Sequence, residues 1–293
     1  ETVYSFSNTN GFKYLFSEAN NVYYLLDLIG RPPNRQTKIH TLDPDNLSLI
    51  RSNDISSIGG ESIVLDPITQ NILLDAGKAT HMLNPADMSI VDSWTASEYS
   101  NDPDIYSVSY RNGVFLTRSS SSGASFYNAA TKQLIYNTPT VSRRFKFADD
   151  GKYFYNNEGI YTIDNGAVTL KTTTYEEKPI FDIVFLNNSN ICIYNEVHQK
   201  PVIYNFDTNS KQVLSNFSKV YAISYDPTSN KLFMYRHIHQ SGEGSYVNIY
   251  DMTSGTTKEL EVYDVSHSSY VDYLYLNGKL ISTEGFYLTE YFN

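Results

Sequence analysis

Short runs of β-branched and aromatic residues, each closed by Asp, Asn, Gly, Pro or Ser, follow one another along the whole chain. No segment keeps the helical period of an amphipathic helix. One junction recurs: a run ends in Asp or Asn and a tight turn follows, at Leu42-Asp43, Leu83-Asn84, Tyr127-Asn128, Ile163-Asp164, Phe206-Asp207 and Tyr250-Asp251. The second residues of these pairs lie 41, 44, 36, 43 and 44 residues apart, a period that marks a repeat architecture. A second turn recurs out of phase with the first, at Asp66-Pro67, Asn112-Gly113, Asp149-Asp150-Gly151, Asn187-Asn188, Asp226-Pro227 and Asn277-Gly278. Each period therefore holds two hairpins, which means four strands.

The second repeat shows the pattern plainly, with strands expected near Ser62 to Leu65, Ile72 to Asp75, Thr80 to Leu83 and Ser89 to Trp94. The sixth repeats it near Tyr221 to Tyr225, Lys231 to Tyr235, Tyr246 to Tyr250 and Lys258 to Tyr263. Repeats start near Phe12, Glu61, Ile105, Arg143, Ile180, Val220 and Tyr270, and the last is one strand short. Thr2 to Phe6 is a strand that belongs to no first-repeat hairpin, so pairing the two ends supplies the missing strand and covers the sheet edges. The pattern predicts an all-β chain: a seven-bladed β-propeller, four antiparallel strands per blade, with the ring closed by the N-terminal strand in the last blade. Residues 1–293 are expected to form this single domain. The chain opens on Glu1 rather than Met and is expected to have been cut from a longer precursor, with a leader or an upstream domain removed.

Segments such as Tyr204-Asn205-Phe206-Asp207-Thr208 and Ile249-Tyr250-Asp251-Met252-Thr253-Ser254-Gly255 resemble the YVTN-like and quinoprotein-dehydrogenase-like seven-bladed propellers. The resemblance spans the chain and is architectural. No Trp-Asp dipeptide of a WD40 repeat occurs, and the aromatic residue of quinone-cofactor propellers is missing after the turn, so no cofactor is expected. The style also resembles propeller domains of bacterial envelope lipoproteins of the PKD-like family. That resemblance implies an exported chain, periplasmic or surface-exposed.

Composition changes this picture in three places. The net charge of −10, with Lys and Arg scattered, removes the long-range attraction that nucleic-acid binding needs. A single cysteine, Cys192 in Ile191-Cys192-Ile193-Tyr194, forbids an internal disulfide and reads as a buried strand residue. No apolar run is long enough for a membrane helix.

Alternating strands sort the loops into two ends. The one-to-two and three-to-four turns share one end and are tight; the two-to-three loops and the crossovers between blades share the other and are longer. The long-loop end is the expected binding face, since loops on a rigid scaffold carry function. Trp94 and Tyr99 offer an aromatic platform beside Asp102 and Asp104, and Glu176, Arg236, His237 and His267 complete the expected ligand site near a central channel mouth. Crossovers are also expected to carry Glu61 and Lys178 close to the axis. His237-Ile238-His239, with Glu196 and His198 in the adjacent blade, matches no metal-ligand motif, and no metal is expected. His40 and His81, at equivalent third-strand positions, read as repeat structure. Nucleophile elbows, phosphate-cradling glycine loops and zinc-protease motifs are absent, so no catalytic residue is assigned. The reading is a non-catalytic binding or scaffold propeller for a glycan or a protein. A propeller hydrolase or lactonase, using acidic or histidine side chains at the channel mouth, is the alternative.

Overall fold

Short apolar runs form the strands, successive side chains facing opposite sides of each sheet, and Asx-led turns reverse the chain between many of them. The computed structural model describes residues 2–5, 9–17, 19–29, 36–46, 48–66, 68–138, 146–148, 152–156, 159–164, 166–173, 180–186, 189–195, 200–217, 220–226, 229–237, 245–262, 273–276, 279–282 and 287–289. The chain divides into two compact units, Phe6–Thr174 and Glu1–Ser5 with Tyr175–Asn293. Strand β1 (Thr2–Ser5) belongs to the second of these.

Phe6–Thr174 holds four antiparallel meanders of four strands. Blade one is β2 (Thr9–Ser17), β3 (Val22–Ile29), β4 (Gln36–Leu42) and β5 (Leu49–Asp54). Blade two is β6 (Ser62–Leu65), β7 (Ile72–Ala76), β8 (Ala79–Leu83) and β9 (Ile90–Thr95). Blade three is β10 (Ile105–Arg111), β11 (Val114–Ser119), β12 (Gly123–Asn128) and β13 (Leu134–Thr138). Blade four is β14 (Lys146–Phe147), β15 (Tyr153–Asn156), β16 (Gly159–Asp164) and β17 (Ala167–Thr173).

In blade three β11 and β12 are buried on both faces almost end to end. Val114, Leu116, Ala124 and Phe126 face blade four, whereas Phe115 and Tyr127 face the opposite way, toward the crossover from blade two. Blades three and four meet through stacked rings: Phe126 on Phe154 and Phe154 on Tyr161, each at 4.6 Å, with the Tyr136 and Tyr161 hydroxyls 2.9 Å apart. Blades one and two share an aliphatic core that includes Leu26, Ile39, Ile63, Leu74 and Leu83. Its inner strands β2 and β6 lie side by side, but β10 of blade three packs on β7 and β8 instead.

The second unit holds blade five, β18 (Ile180–Phe185), β19 (Asn190–Asn195), β20 (Pro201–Asn205) and β21 (Ser210–Val213). Blade six is β22 (Val220–Asp226), β23 (Lys231–His237), β24 (Ser245–Asp251) and β25 (Thr257–Val262). Cys192, Ile203, Val220, Leu232 and Met234 form the core they share, and Cys192 is fully buried, as a strand cysteine flanked by isoleucines should be.

Six four-stranded blades are present among the described residues, not the seven expected. The remaining strands form two separate two-stranded sheets: β26 (Tyr273–Leu276) pairs with β27 (Lys279–Ser282), and β28 (Tyr287–Thr289) pairs with β1. Thr2 stands opposite Thr289 and Ser5 opposite Tyr287, with a register irregularity between them. Although β28 lies beside β27, the short and irregular β28 forms no described ladder with it, which is what divides the sheet. The expected blade start at Tyr270 lies outside the described residues.

One turn chemistry repeats at the three-to-four positions. The side chains of Asp43, Asn84, Asn128 and Asp251 each accept the N–H two residues on, at 2.8 to 3.1 Å. Four residues after the Asx, the chain turns through positive φ, at Met88, Lys132 and Gly255. Blade five departs from the expected phase: the leading residue is Asn205, two positions before Asp207. Asn205 ends β20 and its Oδ1 accepts the N–H groups of Asp207 and Thr208, while Asp207 accepts a hydrogen bond from Ser189.

Candidate functional site

Trp94, at the end of β9, stands just before the segment joining blade two to blade three, which carries three of the residues expected to bind, Tyr99, Asp102 and Asp104. It begins as a single 3-10 turn, Ala96–Glu98, because Glu98 reaches back to accept the Thr95 N–H at 2.8 Å while the Ala96 N–H donates to Lys78 at 2.9 Å. Tyr99 then lays its ring on Phe115, centroids 4.2 Å apart, and donates its hydroxyl to the Ala129 carbonyl at 3.0 Å. Burial, followed by the neighbouring Glu98 charge, pushes the Tyr99 hydroxyl up to about 12. Trp94, at the end of β9, stacks on Tyr110 of β10 with centroids 3.8 Å apart. Both expected platform rings are thus half-buried, and each has one face covered by blade three.

The second half of the crossover is tied to the loop between β11 and β12. Ser122 donates its hydroxyl to Asp102 at 2.7 Å, and the Ser120 N–H donates to the Asp104 carbonyl at 3.3 Å. Asp102 also accepts the Asp104 N–H at 2.9 Å. Hydrogen bonds from Ser122, Ser119 and the Asp104 backbone hold the Asp102 carboxyl below the usual carboxylate range. Asp104 itself is exposed.

The division of loops by strand alternation holds for the backbone at both ends of this junction, where Ala96 bonds Lys78 in the two-to-three loop of blade two and Asp104 bonds Ser120 in that of blade three. The side chains of Tyr99 and Glu98, however, reach the other end. Tyr99 and Glu98 touch the three-to-four turn of blade three, Glu98 pairing with Lys132 at 3.3 Å, whereas Asp102 and Asp104 touch its two-to-three loop. Burial of the Tyr99 ring on Phe115 and Tyr127 carries its hydroxyl to the three-to-four turn at Ala129.

Between blades two and three lies a buried polar cluster for which the sequence offered no signal beyond residue type. Arg111 grips Asp75 with Nη2 to Oδ2 at 2.8 Å and Nη1 to Oδ1 at 3.4 Å. Thr80, Ser62 and Ser109 donate hydroxyls to the same carboxylate at 2.9 to 3.1 Å. This pairing crosses from blade two to blade three and is structural, since every carboxylate oxygen is occupied. Tyr106 and Arg118 were also missed. Tyr106 is exposed at the start of β10, with the Arg118 guanidinium 5.7 Å from its ring centroid.

Arg236 and His237 end β23 on the side of its two-to-three loop, in the other unit. Glu176, Lys178 and His267 lie outside the described residues, as do His198 and His239. Glu61 is exposed, and its N–H donates to Asp75. His40 and His81 do hold equivalent third-strand positions, opposite Leu25 and Leu74, but their partners differ: buried His40 meets Asp27 at 3.2 Å and His81 meets Ser93 at 2.8 Å. Burial lowers the His81 imidazole from its ordinary range. A shallow depression of about 290 Å³ beside the crossover is lined by Ala76, Lys78, Ala79, Thr95, Ala96 and Ser97, a set with no acid–base pair. Among the described residues no three His, Cys, Asp or Glu side chains gather as metal ligands would, and no helix is long and apolar enough to cross a membrane.

No protein-family model matches the chain, and no curated protein is similar to it in sequence. Its structure is similar to that of the WD40 domain of Neurospora crassa Pan2, with a TM-score of 0.58 and 10% identity over 94% of this chain and 86% of that one. A likeness at such low identity is one of fold. With its four-stranded antiparallel blades, the chain has the fold of a WD40-like β-propeller.

Proposed function

We propose that this propeller is a non-catalytic binding or scaffold module of a bacterial cell envelope that takes a glycan or a protein on its long-loop side. In this reading the pairs β26–β27 and β28–β1 stand as a split seventh blade. The observation that carries the binding role is the fastening of the crossover to the two-to-three loop of blade three through Asp102, Ser122 and Ser120. Loops held in this way present side chains on a rigid support, which lowers the entropy lost when a ligand binds. Trp94, Tyr99, Asp102, Asp104, Glu176, Arg236, His237 and His267 are the residues assigned to that face. The envelope location rests on the resemblance to lipoprotein propeller domains, and cell fractionation tests it.

Calorimetric titration with a panel of polysaccharides and candidate surface proteins is the direct experiment. Alanine at an anchor of this face should weaken a bound ligand by about 1–3 kcal/mol. Substitution of Asp226, in a one-to-two turn, should leave affinity unchanged. Release of a hydrolysed product during titration would overturn the non-catalytic reading.

A further inference from the structure

Tyr106 is the extra residue of a β-bulge: Ile105 stands opposite Ser119 and Ser107 opposite Arg118, leaving Tyr106 without a counterpart. A bulge re-aims the side chain it carries. Ile105 and Ser107 are buried, whereas Tyr106 is 48% exposed. The same irregularity recurs at the second residue of the first strand in blade five, at Phe181, and in blade six, at Tyr221. In these three blades the bulge carries an aromatic residue, whereas the irregularity in β2 of blade one, between Thr9 and Phe12, carries Asn10 and Gly11. Arg118 steadies the ring in blade three, its guanidinium 5.7 Å from the centroid and its Nη2 donating to Ser107 at 2.6 Å. Exposed Asp104 lies two residues before the ring, on the loop that Ser120 fastens.

Resting on the binding role proposed above, we infer that Tyr106 is the stacking platform of a site for a neutral sugar ring of a glycan, with Asp104 accepting hydrogen bonds from its hydroxyls. Trp94 and Tyr99 are half-buried against blade three, whereas Tyr106, with Arg118 over its ring, is exposed and presents the more accessible ring. A protein partner would need an apolar core to its interface. Among the described residues the other exposed large hydrophobic side chains lie on outermost strands or, for Ile68, in a one-to-two turn, so Tyr106 stands alone among polar neighbours. An exposed ring steadied by a guanidinium, with an exposed carboxylate two residues before it in the chain, is the chemistry of a sugar site. The net charge of −10 disfavours polyanionic glycans.

The test titrates the chain with neutral hexasaccharides (cellohexaose, mannohexaose and xylohexaose) and with hexagalacturonate, by calorimetry. A neutral hexasaccharide should bind, Tyr106→Ala should weaken it roughly tenfold or more with an unchanged melting midpoint, and Tyr106→Phe should stay within about twofold. Equal binding by Tyr106→Ala overturns the platform while leaving the long-loop side as the binding face. Binding of hexagalacturonate alone overturns the ligand class. No binding by any of the four overturns the glycan site, and loss of binding in Asp66→Ala, on a one-to-two turn, with the melting midpoint unchanged, overturns the face itself.

Discussion

The Trp94 indole lies parallel to the Tyr110 ring, centroids 3.8 Å apart and planes within 6° of each other. The two side chains come from the last strand of blade two and the first of blade three, so their contact is part of the junction between those blades. A stacked aromatic pair contributes beyond the area it buries, by about 0.5–1.5 kcal/mol. A double-mutant cycle with Trp94→Ala and Tyr110→Ala, read by urea denaturation, should return a coupling of that size. Strictly additive losses would show that the rings are only neighbours.

Arg111 and Asp75 join the same two blades from within. Both are buried, and the carboxylate also takes three hydroxyl hydrogen bonds, so removing one partner strands a desolvated charge. Asp75→Ala should lower stability by about 3–5 kcal/mol. Lys132→Ala, which breaks the exposed pair with Glu98, should cost no more than about 1 kcal/mol. Comparable losses from the two substitutions would contradict the difference in burial.

The strands were legible because apolar runs and Asx-led turns are local. Val220 to Asp226 and Ile72 to Ala76 fall where apolar runs and turn residues place them. The phase error in blade five came from two adjacent Asx candidates, Asn205 and Asp207, that only the end of β20 distinguishes. Candidate ligand residues were legible as residue types on a crossover. Whether Trp94 and Tyr99 offer open rings depends on Tyr110, Phe115 and Ala129, partners with no sequence proximity to them. Tyr106 looked like an ordinary strand residue because a bulge is a property of pairing, visible only against Ser119 and Arg118.

Tyr99 makes alkaline pH a probe of the crossover. Its hydroxyl, ordinarily near 10, is pushed up to about 12, first by burial, and it donates to Ala129, which a phenolate cannot do. A group raised in the folded state contributes stability fully below its unfolded pKa, and that contribution is lost as pH rises from about 10 through 12. Wild type should therefore lose more stability across this window than Tyr99→Phe. Parallel pH profiles would remove Tyr99 as the cause.

Asp102 is the acidic counterpart. Ser122 heads the hydrogen bonds that hold its carboxyl low, so Ser122→Ala should raise the Asp102 midpoint in a carboxyl NMR titration. Because the folded value is depressed, the stabilisation is present above the unfolded pKa and fades as pH falls through the folded one. An unmoved midpoint would mean that Ser122 does not hold the loop in solution.

Gly166 tests how blades three and four are locked at their turns. Its φ of +77° falls in the left-handed region, where a side chain costs on the order of 1 kcal/mol. A Cβ at this position would also collide with the Asn128 amide and lie 3.3 Å from the Gly113 carbonyl. Asn128 cannot yield cheaply, because its Oδ1 accepts the N–H groups of Ala130 and Thr131 and its amide donates to the Gly166 carbonyl at 3.3 Å. Gly77 has a similar φ, +62°, and nothing within 4 Å of a Cβ. Gly77→Ala should therefore cost about 1 kcal/mol from strain alone, and Gly166→Ala roughly 2–3 kcal/mol from strain and collision together. Both glycines lie in the same compact unit, so one denaturation transition reads them on a common scale. Equal costs would mean that the Asn128 side chain moves aside, and that the turn of blade four is not locked against that of blade three.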